Sequence, residues 1–436
     1  MKFAQASNFL VLAGLASACL LPEERAGGSI RKLGRRQSSN GKAIGKGDRF
    51  SAGKLFPRGI GSGNATDMST ILNVNEVATG LQGLVTEYGI QTFATPYKTY
   101  EGRTITGAKI GGSGTGNASY HVYLNGGIHA RERGSHDSVL YFISDLLYAQ
   151  KHGTGLTYGK KKYTNADVVK ALSTGIVVTP LINPDGVNYD QTTNNCWRKN
   201  RNPKSSDGQD DDTVGVDLNR NFDFVWDLRK WASSVASDVA SSSPSSEVFH
   251  GTAAFSEPET QSMKYVFDTY NKVRWFIDLH SYAGDVLYSW GSDTDQSTQS
   301  YKNFLNSTYD SVRGITSDSV TTKYGEYIST TDLNNAKTVG TRLGNAMSAA
   351  ASRTYTVMQS AYLYPTSGAS DDYAFSRHIA DPTKNLVYGY TVEFGFGSNQ
   401  ASCPFYPTDS QFTSSLQETN AGFIEFLLAA SDVGLE

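Results

Sequence analysis

Two histidines and a glutamate in this chain are spaced so that they could bind a metal ion. His129 and Glu132 lie three residues apart, and His280 lies far downstream. Two neutral imidazoles and one carboxylate suit a tetrahedral zinc site, and three protein ligands leave a fourth position open for water. The spacing alone is weak evidence, because His and Glu occur three residues apart by chance in many chains. A single histidine at a strand end, such as His280, more often has a structural role.

The elements that must position these residues are short apolar runs that predict buried strands. Four such runs end beside polar residues: residues 120–125, 176–182, 273–279 and 389–392. In open α/β sheets the ligand site lies outside the carboxyl ends of the strands. We therefore expect His129, Glu132, His280 and Glu393 to converge although they are far apart in sequence.

Helical periodicity alternates with these runs. It predicts helices over residues 75–88, 136–150, 166–173, 257–270 and 411–430, the fourth opened by a capping box of Ser256 and Glu259. The serine-rich segment 233–246 is expected to be a surface loop. The alternation predicts an α/β fold, with a mixed, mostly parallel twisted sheet flanked by helices on both faces.

The charge of the chain is unevenly distributed. The 436 residues have a formal net charge of -3, but residues 1–60 carry +8 and the remainder therefore carries -11. A body that acidic argues against nucleic acid or an anionic membrane as the main partner.

The N-terminal segments predict secretion. An apolar run over residues 9–16, followed by small residues, is typical of a cleavable signal peptide, which we place at residues 1–18. The run is too short for a membrane anchor. Residues 19–65 lack apolar periodicity and predict a basic pro-segment or flexible arm. Within it, Arg35-Arg36 is either a processing site or part of a solvated basic stretch.

The cysteines and the glycosylation sequons are compatible with an oxidising compartment. Removal of the signal peptide takes Cys19 with it or leaves it at the new N-terminus, so that Cys196 and Cys403 are either a disulfide pair or two free buried thiols. Three N-x-S/T sequons are candidate glycosylation sites: Asn64, Asn117 and Asn306.

Taken together, the motifs resemble those of the zinc carboxypeptidases of the A/B type, the funnelins. The resemblance covers about residues 70–436 and runs in order through Tyr100-Glu-Gly-Arg103, Gly127-Ile-His-Ala-Arg-Glu132, Asn183-Pro-Asp-Gly186, Trp197-Arg-Lys-Asn-Arg201, Val216-Asp-Leu-Asn-Arg-Asn221, Glu247-Val-Phe-His-Gly251, His280-Ser-Tyr282, Ser367-Gly-Ala-Ser-Asp-Asp372 and Glu393. It implies one catalytic domain over residues 66–436 with one Zn²⁺ per chain. The implied substrates are peptide and protein C-termini, from which single residues are removed. We expect a monomer that binds neither nucleic acid nor membranes stably.

The resemblance also implies roles for individual residues. His129, Glu132 and His280 match the zinc ligands, and Asp217 matches the carboxylate that orients His129. Glu393 matches the catalytic base. Arg198 matches the residue that stabilises the developing oxyanion, although in isolation it could be a surface arginine. The matching substrate-binding positions are Arg131, Asn219, Arg220, Tyr282 and Tyr364. A shifted register would replace Tyr364 by Phe375 but would break the Ser-Asp-Asp match.

Asp371 occupies the position that in this family lines the base of the side-chain pocket. The residue at this position is apolar in A-type enzymes and aspartate in B-type enzymes. The resemblance therefore implies a preference for C-terminal Lys or Arg. If Asp371 turned outward or were neutralised internally, the pocket would be A-like or broad.

Two features depart from the family pattern. Residues 19–65 are too few for the folded inhibitory pro-domain that A/B enzymes usually carry, so inhibition of that kind is not expected. Extra residues separate Glu132 from His280 and Phe375 from Glu393, so the loops around the cleft should differ.

Two other functional classes have less support. A serine hydrolase would be expected to contain the motif G-x-S-x-G, which is absent from the sequence. An inactive carboxypeptidase-like binding protein would be expected to lack zinc ligands or the catalytic base, whereas the matching residues are all present.

Overall fold

The computed structural model describes Leu20, Glu24 and residues 41–436, apart from residues 64, 113, 115, 207, 209, 318 and 321. The predicted signal peptide, the Arg35-Arg36 pair and the sequon at Asn64 lie outside the described residues.

An eight-stranded mixed sheet forms the centre of the molecule. Its strands are β1 (Gln91–Lys98), β2 (Thr104–Ile110), β3 (Val122–Gly126), β6 (Ile176–Thr179), β7 (Trp275–His280), β8 (Asp285–Tyr288), β11 (Thr356–Gln359) and β12 (Tyr388–Glu393), in the order β1-β2-β6-β3-β7-β12-β8-β11. Two small separate pairs are β4 (Leu156–Tyr158) with β5 (Lys161–Tyr163) and β9 (Asp295–Gln296) with β10 (Glu326–Tyr327).

The centre of the sheet is parallel and completely buried. The neighbours β6, β3, β7 and β12 all run in one direction, whereas β2 and β8 run against them. Every residue of β3, β6, β7 and β12 is buried, which is expected of parallel strands covered on both faces. The predicted α/β fold with a mixed, mostly parallel sheet between helices is confirmed.

Nine helices of the described chain surround the sheet. They are α1 (Val74–Tyr88), α2 (Ser135–His152), α3 (Asn165–Ser173), α4 (Pro184–Thr193), α5 (Ala236–Val239), α6 (Pro258–Thr269), α7 (Thr330–Ala351), α8 (Ser370–Ala380) and α9 (Asp409–Val433). All five predicted helices are present, with ends shifted by at most three residues. Of the helices in the described part, none is long and apolar enough to cross a bilayer.

Two local predictions were wrong. Helix α6 does not begin with a capping box of Ser256 and Glu259. Its N-cap is Glu257 without a side-chain cap bond, and the Glu259 carboxylate instead accepts a bond from Asn200 Nδ2 at 3.0 Å. The serine-rich segment 233–246 is not entirely loop, because it contains the one-turn helix α5.

Residues 41–63, predicted as part of a flexible arm, are packed against the domain. Phe50 is buried, Lys42 N donates to Pro407 O at 2.7 Å, and the amides of Gly61 and Ser62 donate to the buried Asp145 carboxylate at 2.8 and 3.1 Å. A segment built of turns and one short 3-10 helix has no regular apolar periodicity, which is why its sequence resembles a disordered arm. We call residues 41–63 the N-terminal strap.

Candidate active site

The three predicted metal ligands meet at the carboxyl ends of β3 and β7. His129 and Glu132 follow β3, and His280 is the last residue of its parallel neighbour β7. His129 Nδ1 lies 2.7 Å from Glu132 Oε1 and 3.1 Å from His280 Nδ1, and His280 Nδ1 lies 3.2 Å from Glu132 Oε2. All three side chains are buried. Residues from distant parts of the chain therefore form one cluster.

The donor set of this cluster fits a zinc ion. His129 Nε2 lies 3.0 Å from Asp217 Oδ1, and His280 Nε2 lies 3.4 Å from Asp278 Oδ2. A proton on each Nε2 that points to a carboxylate leaves the Nδ1 lone pairs facing one another and facing Glu132. Three electron-pair donors that point at one place repel one another unless a cation lies between them. Two imidazoles and one carboxylate are typical zinc ligands.

The carboxylates of Glu132 and of its neighbour Asp217 are ionised. Burial raises the pKa of the Glu132 carboxyl, but the positive charge that His129 and His280 carry in their protonated forms outweighs burial and holds that pKa below its usual range. Burial likewise raises the pKa of Asp217, but Arg198 and His129 hold it well below the usual range. Ionised Glu132 can therefore act as a ligand.

Arg198 and Glu393 lie beside the cluster. The Nε and Nη2 groups of Arg198 donate to Asp217 Oδ2 at 3.1 and 2.8 Å, and its carbonyl accepts from Ala130 N at 3.1 Å. Glu393, buried at the end of β12, pairs in register with His280. A carboxylate and a guanidinium are thus held next to the metal-ligand cluster.

One cavity joins six of the predicted site residues. Its lining includes Arg198, Asn219, Arg220, Tyr364, Asp371 and Glu393, together with Ser360 and Thr366. The alternative register with Phe375 is not supported. That ring is buried in the core, with its centroid 4.8 Å from that of Trp290.

Arg220 presents unsatisfied donors at this cavity. It ends the short helical turn Leu218–Arg220, which the Asp217 side chain caps by accepting from Asn219 N at 3.0 Å. Arg220 Nη1 donates to Asn219 O at 2.7 Å, whereas its buried Nε and Nη2 have no hydrogen-bond partner among the described residues. Two adjacent guanidinium donors match the two oxygens of a carboxylate.

Asp371 does not turn outward. It lies fully buried in the first turn of α8, and its two oxygens accept from Asp372 N at 3.0 Å and from Ser360 Oγ at 3.1 Å. Burial raises the pKa of its carboxyl. Both of these donors are neutral, and within the described chain no Lys or Arg forms an ion pair with Asp371.

Arg131 and Tyr282, predicted to line outer subsites, do not line this cavity. Arg131 forms an ion pair with Glu24, 2.6 Å between Nη1 and Oε1. Tyr282 packs against Phe405, with ring centroids 4.9 Å apart, and lines a second cavity.

The structure contains the predicted disulfide, and the two described sequon asparagines differ in exposure. Cys196 and Cys403 form a disulfide, which confirms the pairing and excludes the two free thiols. Asn117 is exposed. Asn306 is half-buried and its Nδ2 donates to Tyr301 O at 2.8 Å, so this amide is already engaged.

The sequence reasoning missed several residues of the site. Asp278, Ser360 and Glu24 were not among the candidates. Asp278 could have been found, because it is a charged residue in the otherwise apolar strand β7 and lies two residues before His280, on the same face. Ser360 and Glu24 carry no comparable signal.

Comparisons with known proteins agree with this arrangement. The family model described as zinc carboxypeptidase matches residues 81–422. Zinc carboxypeptidase A 1 of Drosophila melanogaster is 34% identical over 223 residues, which cover 49% of this chain and 45% of that protein. Carboxypeptidase B of Helicoverpa zea is 31% identical over 210 residues, which cover 47% of this chain and 42% of that protein. The matched segment thus spans less than half the length of either relative.

The fold has a solved counterpart. The crystal structure of carboxypeptidase A from Helicoverpa armigera superposes with a TM-score of 0.62 at 23% identity, covering 85% of this chain and 76% of that one. This likeness shows the fold alone. Because the family model extends over most of the sequence and includes the whole metal-ligand cluster, the chain belongs to the zinc carboxypeptidase family.

Proposed function

We propose that this protein is a zinc-dependent exopeptidase that removes single C-terminal residues from peptides and proteins, with a preference for Lys and Arg. One observation carries the proposal. A single cavity contains a guanidinium with two unsatisfied donors, Arg220, and a buried carboxylate without a cationic partner, Asp371. Such a cavity complements a residue that has a free carboxylate and a cationic side chain.

Recognition of the chain end falls to Arg220 and its neighbours. The Nε and Nη2 groups of Arg220 bind the terminal carboxylate bidentately, and Asn219 and Tyr364 contact the same residue from other walls of the cavity. An internal peptide bond offers no carboxylate at this position. The cavity therefore selects the last residue of a chain.

The chemistry requires a proton carrier and an oxyanion donor next to the metal. We assign one Zn²⁺ per chain to His129, Glu132 and His280, where it supplies Lewis acidity that polarises a carbonyl and lowers the pKa of water. Glu393 accepts the proton from the attacking water and later delivers it to the leaving amine. Arg198 donates to the oxygen on which negative charge develops.

The side-chain preference rests on Asp371. Its carboxylate loses solvation on burial and is held by neutral donors, so a substrate ammonium or guanidinium would supply the missing counter-charge. The relatives include carboxypeptidases of both A and B type, so family membership alone leaves an A-like or broad specificity as the alternative.

A substrate comparison tests this function. Peptides identical except for a C-terminal Arg, Lys, Phe or Leu are incubated with the enzyme, with and without a zinc chelator, and release of the last residue is quantified. We expect faster release of Arg and Lys and loss of all release with the chelator. In Asp371→Asn the preference should fall by at least about tenfold, because a desolvated charge pair is lost, whereas release of Phe is the internal control. Faster release of Phe by the unmodified enzyme would overturn the assigned preference.

A second variant distinguishes an enzyme from a carboxypeptidase-like binding protein. Glu393→Gln removes the proton acceptor but keeps the shape of the side chain, so hydrolysis should fall by a factor of 100 or more, on the order of general-base contributions. Unchanged hydrolysis in this variant would contradict the mechanism. Binding of a labelled C-terminal Arg peptide, followed by fluorescence anisotropy, should persist and shows that the variant is folded.

We further propose that the enzyme is secreted as a monomer. The proposal is supported by the apolar N-terminal run, the acidic body and the disulfide, which persists in oxidising compartments. N-terminal sequencing of the protein from culture medium, combined with light scattering, tests both points. Retention of residues 1–18 in the extracellular protein would contradict the signal-peptide assignment.

A further inference from the structure

We propose that Asp278 is a positioning residue that links the proposed metal ligand His280 to the first turn of α8, which carries Asp371. The inference rests on the proposed exopeptidase function, because it names a residue that aligns two parts of the same site. It is carried by a row of buried polar side chains in the centre of the sheet and by the contacts that Asp278 makes beyond this row.

The polar row crosses the four central strands of the sheet. Its members lie directly opposite one another in β6, β3, β7 and β12: Thr179, Asn125, Asp278 and Thr391. The first three are completely buried, and Thr391 lines the cavity that also contains Asp371. Because opposite residues of neighbouring strands share one face of a sheet, the row leads from the core to the proposed substrate cavity.

The row fixes the orientation of Asp278. Buried polar groups cost free energy unless each of them is hydrogen-bonded, and here the bonds are supplied within the row. Thr179 Oγ1 donates to Asn125 Oδ1 at 2.6 Å, and Asn125 Nδ2 donates to Asp278 Oδ1 at 2.8 Å. With one carboxylate oxygen held in this way, the other oxygen, Oδ2, points in a defined direction.

The second oxygen of Asp278 contacts both parts of the candidate active site. Oδ2 accepts from Ser370 Oγ at 2.6 Å and lies 3.4 Å from His280 Nε2. Ser370 is the first residue of α8 and directly precedes Asp371. A single carboxylate oxygen thus connects a residue of the metal-ligand cluster with the helical turn that carries the proposed specificity residue.

Asn219 closes this connection into a ring. Its Oδ1 accepts from Ser370 N at 2.8 Å, and its Nδ2 lies 3.4 Å from His280 Nε2. The N-cap residue of α8, Ala369, makes no side-chain cap bond, so the start of the helix is held by the amide and the hydroxyl of Ser370. Asn219 also lines the substrate cavity, so a displaced ring would alter the recognition of the chain end and of the side chain together.

The packing of α8 on β12 explains why this contact should matter for specificity. An added Cβ at Gly389 would collide with the carbonyl oxygen of Asp371, so the first turn of α8 lies directly on the strand. In so closely packed a place, the direction of the Asp371 side chain depends on how the preceding residue is held. Loss of the Ser370 hydroxyl contact should therefore misalign the Asp371 carboxylate without removing it.

Zinc affinity tests the link between Asp278 and His280. Asp278→Asn is compared with the matched control Thr179→Val, which removes a buried hydrogen bond of the same row but no contact to His280 or α8. By competition with a chromogenic chelator, we expect Asp278→Asn to bind zinc about 10- to 100-fold more weakly, whereas Thr179→Val should keep the affinity of the unmodified protein. Equal affinities in the two variants would overturn this link. If Asp278→Asn does not fold, Asp278→Ser takes its place, because a smaller side chain leaves room for water.

Peptide discrimination tests the link between Asp278 and α8. Asp278→Asn, Ser370→Ala and Thr179→Val are each combined with Glu393→Gln, and at saturating zinc the Kd of labelled peptides ending in Arg, Lys, Phe or Leu is measured by fluorescence anisotropy. The ratio between the weakest and the tightest Kd should fall by about tenfold in the first two variants, the usual effect of losing a charge-assisted contact, and should be unchanged in Thr179→Val. Combining Asp278→Asn with Ser370→Ala should cause no further fall, since both changes break the same bond.

Three results would overturn the link to α8. They are an unchanged ratio in Ser370→Ala and Asp278→Asn, additive losses when the two changes are combined, and equal Kd values for all four peptides in the Glu393→Gln protein. The last result would mean that α8 presents no specificity residue at all.

These measurements separate the inference from the proposed function, because neither zinc affinity nor peptide binding requires turnover. A protein that shows both effects but hydrolyses none of the peptides would contradict only the exopeptidase function. A protein that shows both effects but binds the Phe peptide most tightly would contradict only the preference for Lys and Arg. Normal hydrolysis, together with unchanged zinc affinity and discrimination in Asp278→Asn, would contradict only the role of Asp278.

Discussion

A single carboxylate, Asp217, organises three parts of the candidate active site. One oxygen accepts from His129 Nε2 and from Asn219 N, and the other accepts from the Arg198 guanidinium. The first contact sets the tautomer of a proposed metal ligand, the second shapes the turn that presents Arg220, and the third positions Arg198, the proposed oxyanion donor. Small changes at Asp217 should therefore affect metal binding and turnover together.

We expect Asp217→Asn to weaken zinc binding by about 10- to 100-fold, the usual effect of removing a carboxylate behind a ligating histidine. Zinc affinity is measured by competition with a chromogenic chelator. The matched control is Asp223→Asn, a change of the same type at an exposed position six residues downstream. Equal zinc affinity in both variants would show that Asp217 does not orient His129.

The candidate site could be predicted from sequence where a residue type carries the chemistry. His129, Glu132 and His280 are recognisable because few side chains bind zinc, and strand-end placement brings them together. Glu24 could not be predicted, because nothing in the sequence around it indicates that it pairs with Arg131. Ser360 could not be predicted either, since a single hydroxyl close to Asp371 leaves no pattern in the sequence.

At the scale of elements, α1 and the N-terminal strap stabilise each other. Asn73 caps α1 by accepting from Glu76 N at 2.9 Å, and its Nδ2 donates to the carbonyls of Gly45 and Gly47 in the strap, each at 3.0 Å. Glu76 in turn accepts from Arg49 Nε at 2.7 Å. The capping box of one helix is thus also the attachment point of the preceding segment.

Removing this cap should destabilise the protein measurably. We expect Asn73→Ala to lower the free energy of unfolding by about 2 kcal/mol, because a helix cap and two further hydrogen bonds are lost. Asn75→Ala, an exposed position of the same helix, is the matched control and should change it by less than about 0.5 kcal/mol. Urea denaturation followed by tryptophan fluorescence measures both. Similar effects in the two variants would mean that the strap is not attached through Asn73.

The helices that the sequence predicted and those it missed differ in their buried residues. Helix α1 buries Val77, Leu81 and Leu84 at helical spacing, which is a clear amphipathic pattern. Helix α7 buries mainly Ala and Gly, with Val339, Leu343 and Met347 as its only large buried residues. Small residues permit close packing of α7 on α9 but hardly register as hydrophobic periodicity, so a 22-residue helix was missed.

At the scale of the whole molecule, the acidic body includes carboxyl groups without sufficient counter-charge in the interior. Burial raises the pKa of four of them: Asp145 to about 7, Glu259 to about 8, Asp285 to about 6 and Glu326 to about 7. Each of these groups holds a proton in the folded protein at pH values where the unfolded chain has released it. The folded protein should therefore lose stability as the pH rises through this range.

Glu259 provides the clearest test, because its side chain is fully buried and Oε1 has no hydrogen-bond partner among the described residues. The pKa of Glu259 is about 8 in the folded protein and 4.5 in the unfolded chain. Between these pH values, this one group should lower the free energy of unfolding by about 1.4 kcal/mol per pH unit. Glu259→Gln imitates the protonated acid and should make the measured decrease between pH 5 and pH 7 shallower by about that amount. The control Glu87→Gln, at a partly exposed position, should retain the full slope. Urea denaturation across this pH range measures the slopes, and identical slopes for both variants would show that Glu259 is ionised in the folded protein.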